Sequence, residues 1–340
     1  MIRTEAELED LLSRPSAVDV EAMAQLGGGD LLLLGVAGKM GPTLAMRARL
    51  AMTAAGVAGR VIGVSRFSDK RARQVLDEAG VETVEADLMD RSALARLPEA
   101  ANIIYLVGRK FGSSGDPSLT WAMNVHVPMA VLERWRDSRF VALSSGNIYP
   151  LVPVVSGGAT ESTPLAPVGE YAQSVLGRER TFEYAASQWG TRSVILRLNY
   201  AVEMRYGVLL DIAQTVAEGR PVDLRMGAAN VIWQGDANSV CLRAFELCSA
   251  PPDVLNLTGP ETLSVRHIAA EFGRHLGVEP RFSGEEAPVA LLNNASRCHR
   301  LFGYPTVTPL ELIEQIAAWM KAGGATHGKP THFETRDGKY

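Results

Sequence analysis

The sequence predicts an α/β fold built on a doubly wound parallel sheet, followed by a smaller C-terminal lobe. Three observations carry this. Short, almost wholly apolar runs recur between residues 30 and 198 with longer helical patterns between them, as expected of strands covered on both faces by helices. Three glycines, Gly35, Gly38 and Gly41, stand between the first run and the helical stretch that follows it. Beyond Arg197 the alternation loosens, and a second unit is expected there.

The elements follow in order. Thr4 and Glu7 have the spacing of a capping box and open a short helix, and a second helical pattern from Val18 stops at the glycines before residue 30. Residues 1–29 are therefore read as a helical appendage. "LLLLGV", "RVIGVS", "VETVEA", "NIIYLVG", "RFVALSS" and "RSVILRL" are six strands, with helices through Ala55, over 69–80, near 91–97, over 117–136 and from Tyr171 to about Gln188 between them. Helices over 208–219, 236–248, 265–276 and 309–321, with strands at "VIWQ" and "VLNLT", complete the chain. The predicted division gives 30–198 to the sheet domain, with 228–250 returning to it, 199–227 and 251–322 to the second lobe, and 323–340 to a polar tail without a period.

Composition narrows the partners. A chain of 340 residues with 46% hydrophobic and 21% charged side chains can bury a sizeable core and reads as globular. The net charge is -4 with both signs interspersed, so neither a nucleic-acid stripe nor a polybasic membrane patch is present. No apolar run approaches the roughly 18 residues of a membrane span, and the acidic N-terminus resembles neither a secretory nor a transit signal. A cytoplasmic protein with a small-molecule partner is expected. Cys241, Cys248 and Cys298 lack C-x-x-C spacing and the six histidines form no H-x-x-x-H pair, so neither metal nor disulfide is expected.

The glycine trio has a chemical reading. Glycine permits the tight turn, lets backbone N–H groups approach a pyrophosphate, and allows the helix to start close to the strand with its positive end toward the anion. Gly35, Gly38, Lys39, Met40 and Gly41 are thus candidate cofactor residues. At the end of the second strand Ser65 and Arg66 stand where an NAD enzyme commonly carries an acid, and an arginine can pair with a 2′-phosphate, so NADP is favoured over NAD. A solvated loop arginine is the plain alternative. Asp87 and Leu88 after the third strand suit an adenine, and Leu106 and Gly108 after the fourth let the backbone lie against the cofactor.

With these motifs in order, the chain resembles the extended short-chain dehydrogenase/reductases, the Rossmann-fold group of NAD(P)-dependent sugar epimerases and dehydratases. The resemblance rests on "GVAGKMG", "ADL", "DPSLTWAMNVHVPMAVLE", "FVALSSGNIYP", "EYAQSVLGRE" and "LRLNYAV", and covers about residues 30 to 322. It implies Tyr171 as acid/base, Ser145 (or Ser144, one register away) orienting the reacting oxygen, Asn124 as a structural or relay asparagine, and Asn199 lining the substrate pocket. Asn147, Arg109, Lys110, Arg205 and Trp233 are further substrate candidates, with Tyr206 and Asn294 in regions where the family contacts a sugar. A carbohydrate-like substrate and a homodimer are also implied.

The chain departs from the family at Val175, one helical turn after Tyr171, where the pattern has a lysine that holds the nicotinamide ribose and assists the phenol. Valine can do neither, which tilts the expectation toward carbonyl reduction, for which the phenol is already protonated. A cofactor-retaining dehydratase or lyase and a non-catalytic cofactor sensor are the competing readings. Arg178, two turns beyond Tyr171 and about 10 Å along the axis, is read as a surface arginine, leaving Arg109 and Lys110 as better-placed cations.

Overall fold

The computed structural model describes residues 2–339. Seven strands, β1 (Leu31–Leu34), β2 (Val61–Ser65), β3 (Glu82–Glu85), β4 (Asn102–Tyr105), β5 (Arg139–Ser145), β6 (Arg192–Leu198) and β7 (Asp253–Leu257), form one parallel sheet in the order β3-β2-β1-β4-β5-β6-β7. This is the doubly wound Rossmann arrangement expected from the sequence. The chain's direction of winding reverses between β1 and β4, and a crevice opens at their carboxyl ends.

The apolar strands are explained by what covers them. Leu31, Leu33, Ile104, Val141 and Leu196 enter one core, whereas Leu32, Leu34, Ile103, Phe140 and Ile195 enter another on the opposite face. Side chains alternate across a strand, so a strand with both faces covered must be apolar at every position. β3 lies at the sheet edge, and both its terminal glutamates are exposed.

Two N-terminal helices, α1 (Glu5–Ser13) and α2 (Ala17–Ala24), pack against α3 (Gly41–Ala54). The Thr4–Glu7 capping box is formed. Asp19 accepts from Arg47 of α3 at 2.6 and 2.9 Å, with both side chains buried. Burial opposes ionisation of Asp19, but Arg47 and hydrogen bonds from Ser239 and Ser16 outweigh it and hold the carboxyl below its usual range.

On the first half of the sheet lie α4 (Lys70–Glu78) and α5 (Arg91–Ala95). The helix expected over 117–136 is interrupted: α6 (Pro117–Trp121) passes through a π turn over Ala122–His126 into α7 (Val127–Arg134). α8 (Gly169–Trp189) carries Tyr171. The second lobe is centred on α9 (Val208–Ala217), α11 (Val265–Leu276) and α13 (Pro309–Lys321), whose apolar faces share a core with Leu8 and Leu12 of α1. α10 (Gln234–Arg243) and α12 (Ser296–Phe302) contribute to a sheet-domain core instead.

Two placements differ from expectation. "VLNLT", assigned to the second lobe within 251–322, is β7 of the main sheet, with Leu255 opposite Leu196. Its apolar pattern announced a strand, but the edge it would join is set by non-local pairing. The segment after α13 has no helix or strand, yet it is tied to the fold: His327 N–H donates to the Arg205 carbonyl at 3.0 Å, Thr331 N–H to Asp211 at 2.7 Å, and Arg336 to the Arg225 carbonyl at 2.7 Å. Phe333 is buried in the second-lobe core. Among the described residues no helix is long and apolar enough to cross a membrane, and no cluster of three or more histidine, cysteine, aspartate or glutamate side chains could hold a metal.

Candidate active site

A cleft of about 340 Å³ lies at the carboxyl ends of the central strands, between the glycine loop, the loop after β4, the end of β5, the start of α8 and the segment after β6. Its floor is the turn from β1 into α3. Gly35 has φ +87°, and a Cβ on Gly41 would fall 2.1 Å from the Val36 carbonyl oxygen. Both positions require glycine, because the turn needs a left-handed residue and the helix starts against the strand it follows.

The cleft brings together Gly35, Gly38, Lys39, Met40, Gly41, Leu106, Gly108, Lys110, Ser145, Asn147, Tyr171 and Asn199 from the sequence-predicted set, with Ser144 beside them. Ser65, Arg66, Asp87 and Leu88 lie outside it, Ser65 ending β2, Arg66 following it, and Asp87 and Leu88 after β3, on the same carboxyl edge of the sheet. Arg109 and Asn124 stand behind the cleft wall. Arg205 is not brought to the cleft: it is buried in ion pairs with Glu203 and Glu9 that join α1 to the second lobe. Trp233 is buried in the second-lobe core and lines a different cavity, and the Asn294 carbonyl accepts from Asn256 at 3.0 Å. These three satisfy local packing and charge needs that a residue type alone does not reveal.

The π turn delivers Asn124 to the β4 loop. Its Oδ1 accepts from the Arg109 N–H at 2.8 Å and from Arg178 at 2.7 Å, while its Nδ2 donates to the Arg109 carbonyl at 3.0 Å and to Ser174 Oγ at 2.9 Å. Both donors and both lone pairs of the carboxamide are used. Arg178 is therefore not a surface residue. It is 6% exposed and also donates to the Leu143 carbonyl at 2.9 Å. The reason lies across the interface: Gly108 has no side chain, and a Cβ there would meet the guanidinium at 2.4 Å.

The two serines at the end of β5 differ. Ser144 Oγ donates to Glu179 at 2.5 Å, and Glu179 is paired with Arg197 at 2.7 Å, with both charged side chains almost fully buried. Arg197 also donates to Tyr149 at 2.7 Å, and Tyr149 to Asn256 at 2.9 Å. Ser145 Oγ instead donates to Asn147 Oδ1 at 3.0 Å, on the cleft side. Val175, itself a residue of α8, is fully buried.

Charge in the cleft comes from lysine. Lys39 Nζ lies 2.8 Å from the centre of the Tyr206 ring and 4.7 Å from that of Phe111, and Lys110 Nζ lies 5.9 Å from that of Tyr171. Burial, together with the positive charges of Lys110 and Lys329, pushes Lys39 down to about 7. Burial pushes Lys110 down to about 8 against the opposing pull of Asp211 and Glu334. Burial, with the Asp211 charge and the neighbouring Tyr171, raises the Tyr206 phenol.

Sequence reasoning missed Phe111, Tyr200 and Thr331, all of which line the cleft. Phe111 follows Lys110 directly and could have been included with it. Tyr200 has φ +47°, a costly conformation for a side-chain-bearing residue that often marks a functional site. Thr331 left no signal, because its role rests on its backbone carbonyl, which accepts from Lys110 at 3.1 Å.

Comparison with known proteins extends this geometry. The profile described as the NAD dependent epimerase/dehydratase family matches residues 31–207. No curated protein matches the sequence. A UDP-glucose 4-epimerase of Thermotoga maritima superposes with a TM-score of 0.72 at 17% identity, covering 86% of this chain and 99% of its own. A dTDP-glucose 4,6-dehydratase of Streptomyces venezuelae, with NAD bound, gives 0.72 at 20% identity, covering 86% and 97%. A UDP-glucuronic acid 4-epimerase of Bacillus cereus, in complex with UDP-glucuronic acid and NAD, gives 0.72 at 18% identity, covering 86% and 99%. At these identities the likeness is one of fold.

Proposed function

The chain belongs to the NAD dependent epimerase/dehydratase family, a family of enzymes, and from that premise we propose that it transfers hydride to or from a sugar or sugar-derived carbonyl or alcohol, with Tyr171 as acid/base. The observation that carries this reading is that Tyr171 and Ser145 face one cleft with the glycine loop. The loop suits a dinucleotide: a side chain at Gly41 would strike backbone, and the following helix N-terminus turns its N–H groups toward a pyrophosphate. A bound nicotinamide supplies or takes up the hydride.

The chain's own residues do the rest. Ser145 orients the substrate oxygen by hydrogen bonding, a role better suited to it than to Ser144, whose hydroxyl is committed to Glu179. Tyr171 gives a proton to a carbonyl oxygen or takes one from an alcohol. Asn124 holds the β4 loop through Arg109 and serves as a positioning residue. With Val175 in place of lysine, we favour reduction of a keto group over oxidation. Arg66 and Ser65 support NADP over NAD as the preferred cofactor, and the complexes of similar epimerases with UDP-glucose and UDP-glucuronic acid support a carbohydrate-like substrate.

Competing outcomes separate cleanly. Net consumption of NADPH with a keto-sugar identifies a reductase, and turnover without net cofactor change identifies an epimerase or a cofactor-retaining dehydratase. Tyr171→Phe should lower the rate about 10²- to 10⁴-fold while cofactor affinity by calorimetry stays unchanged. Full activity in that variant would remove Tyr171 from the mechanism. A homodimer through the helices bearing Asn124 and Tyr171 is part of the proposal, and a monomer-sized mass by light scattering would dismiss it.

A further inference from the structure

The residues after α13 have a polar sequence, yet they are buried at Thr331, Phe333 and Gly338. They form a strap held from both sides of the cleft. On the second-lobe side, the Thr331 N–H and hydroxyl donate to Asp211 of α9, Phe333 enters the core, and Arg336 donates to the Arg225 and Val289 carbonyls. On the sheet-domain side, Lys110 donates to the Thr331 carbonyl at 3.1 Å, and Gly338 lies against Val168 and Gly169 at the start of α8. That close backbone approach requires glycine on both chains: a Cβ on Gly338 would strike the Val168 carbonyl, and one on Gly169 the Gly338 carbonyl. The contact lies two residues before Tyr171. Buried anchors on both sides make the strap a fixed wall rather than a loose end.

The strap runs between α9 and the start of α8, so a molecule held at Ser145 and Tyr171 has the glycine loop on one side and the strap on another. The cleft's volume of about 340 Å³ is near the lower end of the roughly 300–1,000 Å³ of ligand pockets, and it must also admit the nicotinamide. A nucleoside diphosphate would need cations as well, and arginine is the side chain whose planar fork matches phosphate oxygens. Among the described lining residues none is an arginine. The nearby second-lobe arginines are committed: Arg205 to Glu203 and Glu9, Arg225 to Asp223, and Arg336 to main-chain carbonyls. Of the two lysines, Lys110 is bonded to the strap itself and Lys39 lies on the Tyr206 ring. We propose that residues 331–338 form a specificity wall, and that the substrate is a small sugar or sugar-derived carbonyl or alcohol bearing no nucleotide. This deepens the proposed function and rests on it. It separates this chain from the similar epimerases solved with UDP-glucose and UDP-glucuronic acid, whose likeness is one of fold.

Two measurements on the full chain test this. In the first, protein saturated with NADP or NAD is titrated calorimetrically with UDP-glucose, UDP-glucuronic acid and dTDP-glucose. The inference expects no binding at millimolar concentrations, and submillimolar binding of any of the three would overturn it. The second reads the wall without cofactor or turnover. Asn147→Cys places a thiol in the cleft, and its labelling by N-ethylmaleimide is compared with that by a bulky fluorescein maleimide. Both rates are referred to free glutathione, and the parent chain gives the background from Cys241, Cys248 and Cys298. With the strap in place, the bulky reagent should lag the small one at least tenfold. Adding Gly338→Val, which drives the strap from α8 without altering a core side chain, should cut that lag at least threefold. An equal lag in both overturns the wall, as do strap amides that exchange with solvent as freely in the parent chain as in the variant. Should the chain bind neither cofactor, the proposed function fails, and the labelling ratio decides the wall alone.

Discussion

Arg178 donates to the Asn124 side chain at 2.7 Å, so the arginine that follows Tyr171 on its helix is spent on the wall of the site. It secures the β4 loop through Asn124 and the end of β5 through the Leu143 carbonyl.

Arg178→Met should therefore lower stability by about 1–3 kcal/mol, the cost of leaving buried hydrogen-bonding groups unmatched. Urea denaturation measures this. A variant as stable as wild type would mean that the two acceptors find other donors.

Arg197→Met should cost more, about 3–5 kcal/mol, because it strands the Glu179 carboxylate in a buried site. The double variant with Glu179→Leu should lose less than the two single changes combined, since it removes the stranded charge together with its partner. Additive losses in the denaturation series would contradict a coupled pair.

Stability should rise as pH is raised from 7 toward 9. Lys39 is held near 7 in the fold and titrates near 10.5 when unfolded, so across this window the unfolded chain binds more protons than the native one. Lys110 acts in the same sense from about 8. The charged groups acting on the pair are Lys329, Asp211, Glu203 and Glu334. Above pH 9 the thiols of Cys241, Cys248 and Cys298, each pushed up to about 12 by desolvation, work in the opposite direction. Urea midpoints at pH 7, 8 and 9 should climb in wild type and climb less in Lys39→Met.

Arg66→Ala should weaken NADP binding about tenfold, some 1.4 kcal/mol, and leave NAD binding unchanged. Calorimetry with both cofactors provides the comparison. Equal losses for the two would place Arg66 outside 2′-phosphate recognition.

What could be read from the sequence was what is locally encoded. The sheet strands were legible because burial on both faces forces a run of apolar residues, and the glycine loop because its backbone excludes side chains. The roles of Arg178, Arg205 and "VLNLT" were not, since each depends on what the chain places opposite it: a glycine at 108, glutamates at 9 and 203, the edge of β6. The segment around Thr331 was opaque for another reason. Several of its contacts use main-chain atoms, which every residue carries, and so leave little trace in residue type.

The π turn at Ala122–His126 makes this chain sensitive to length rather than to identity there. A π turn holds one residue more than the α-helical ladder needs. Removing a single residue from it would let the helix close into regular α geometry, drawing in the bulge that carries Asn124 while the flanking halves keep nearly the same facing. Asn124 would swing away from Arg109 and Arg178 even if every side chain around it were kept. Most point substitutions would leave that registration intact, whereas one lost codon would uncouple the β4 loop from α8.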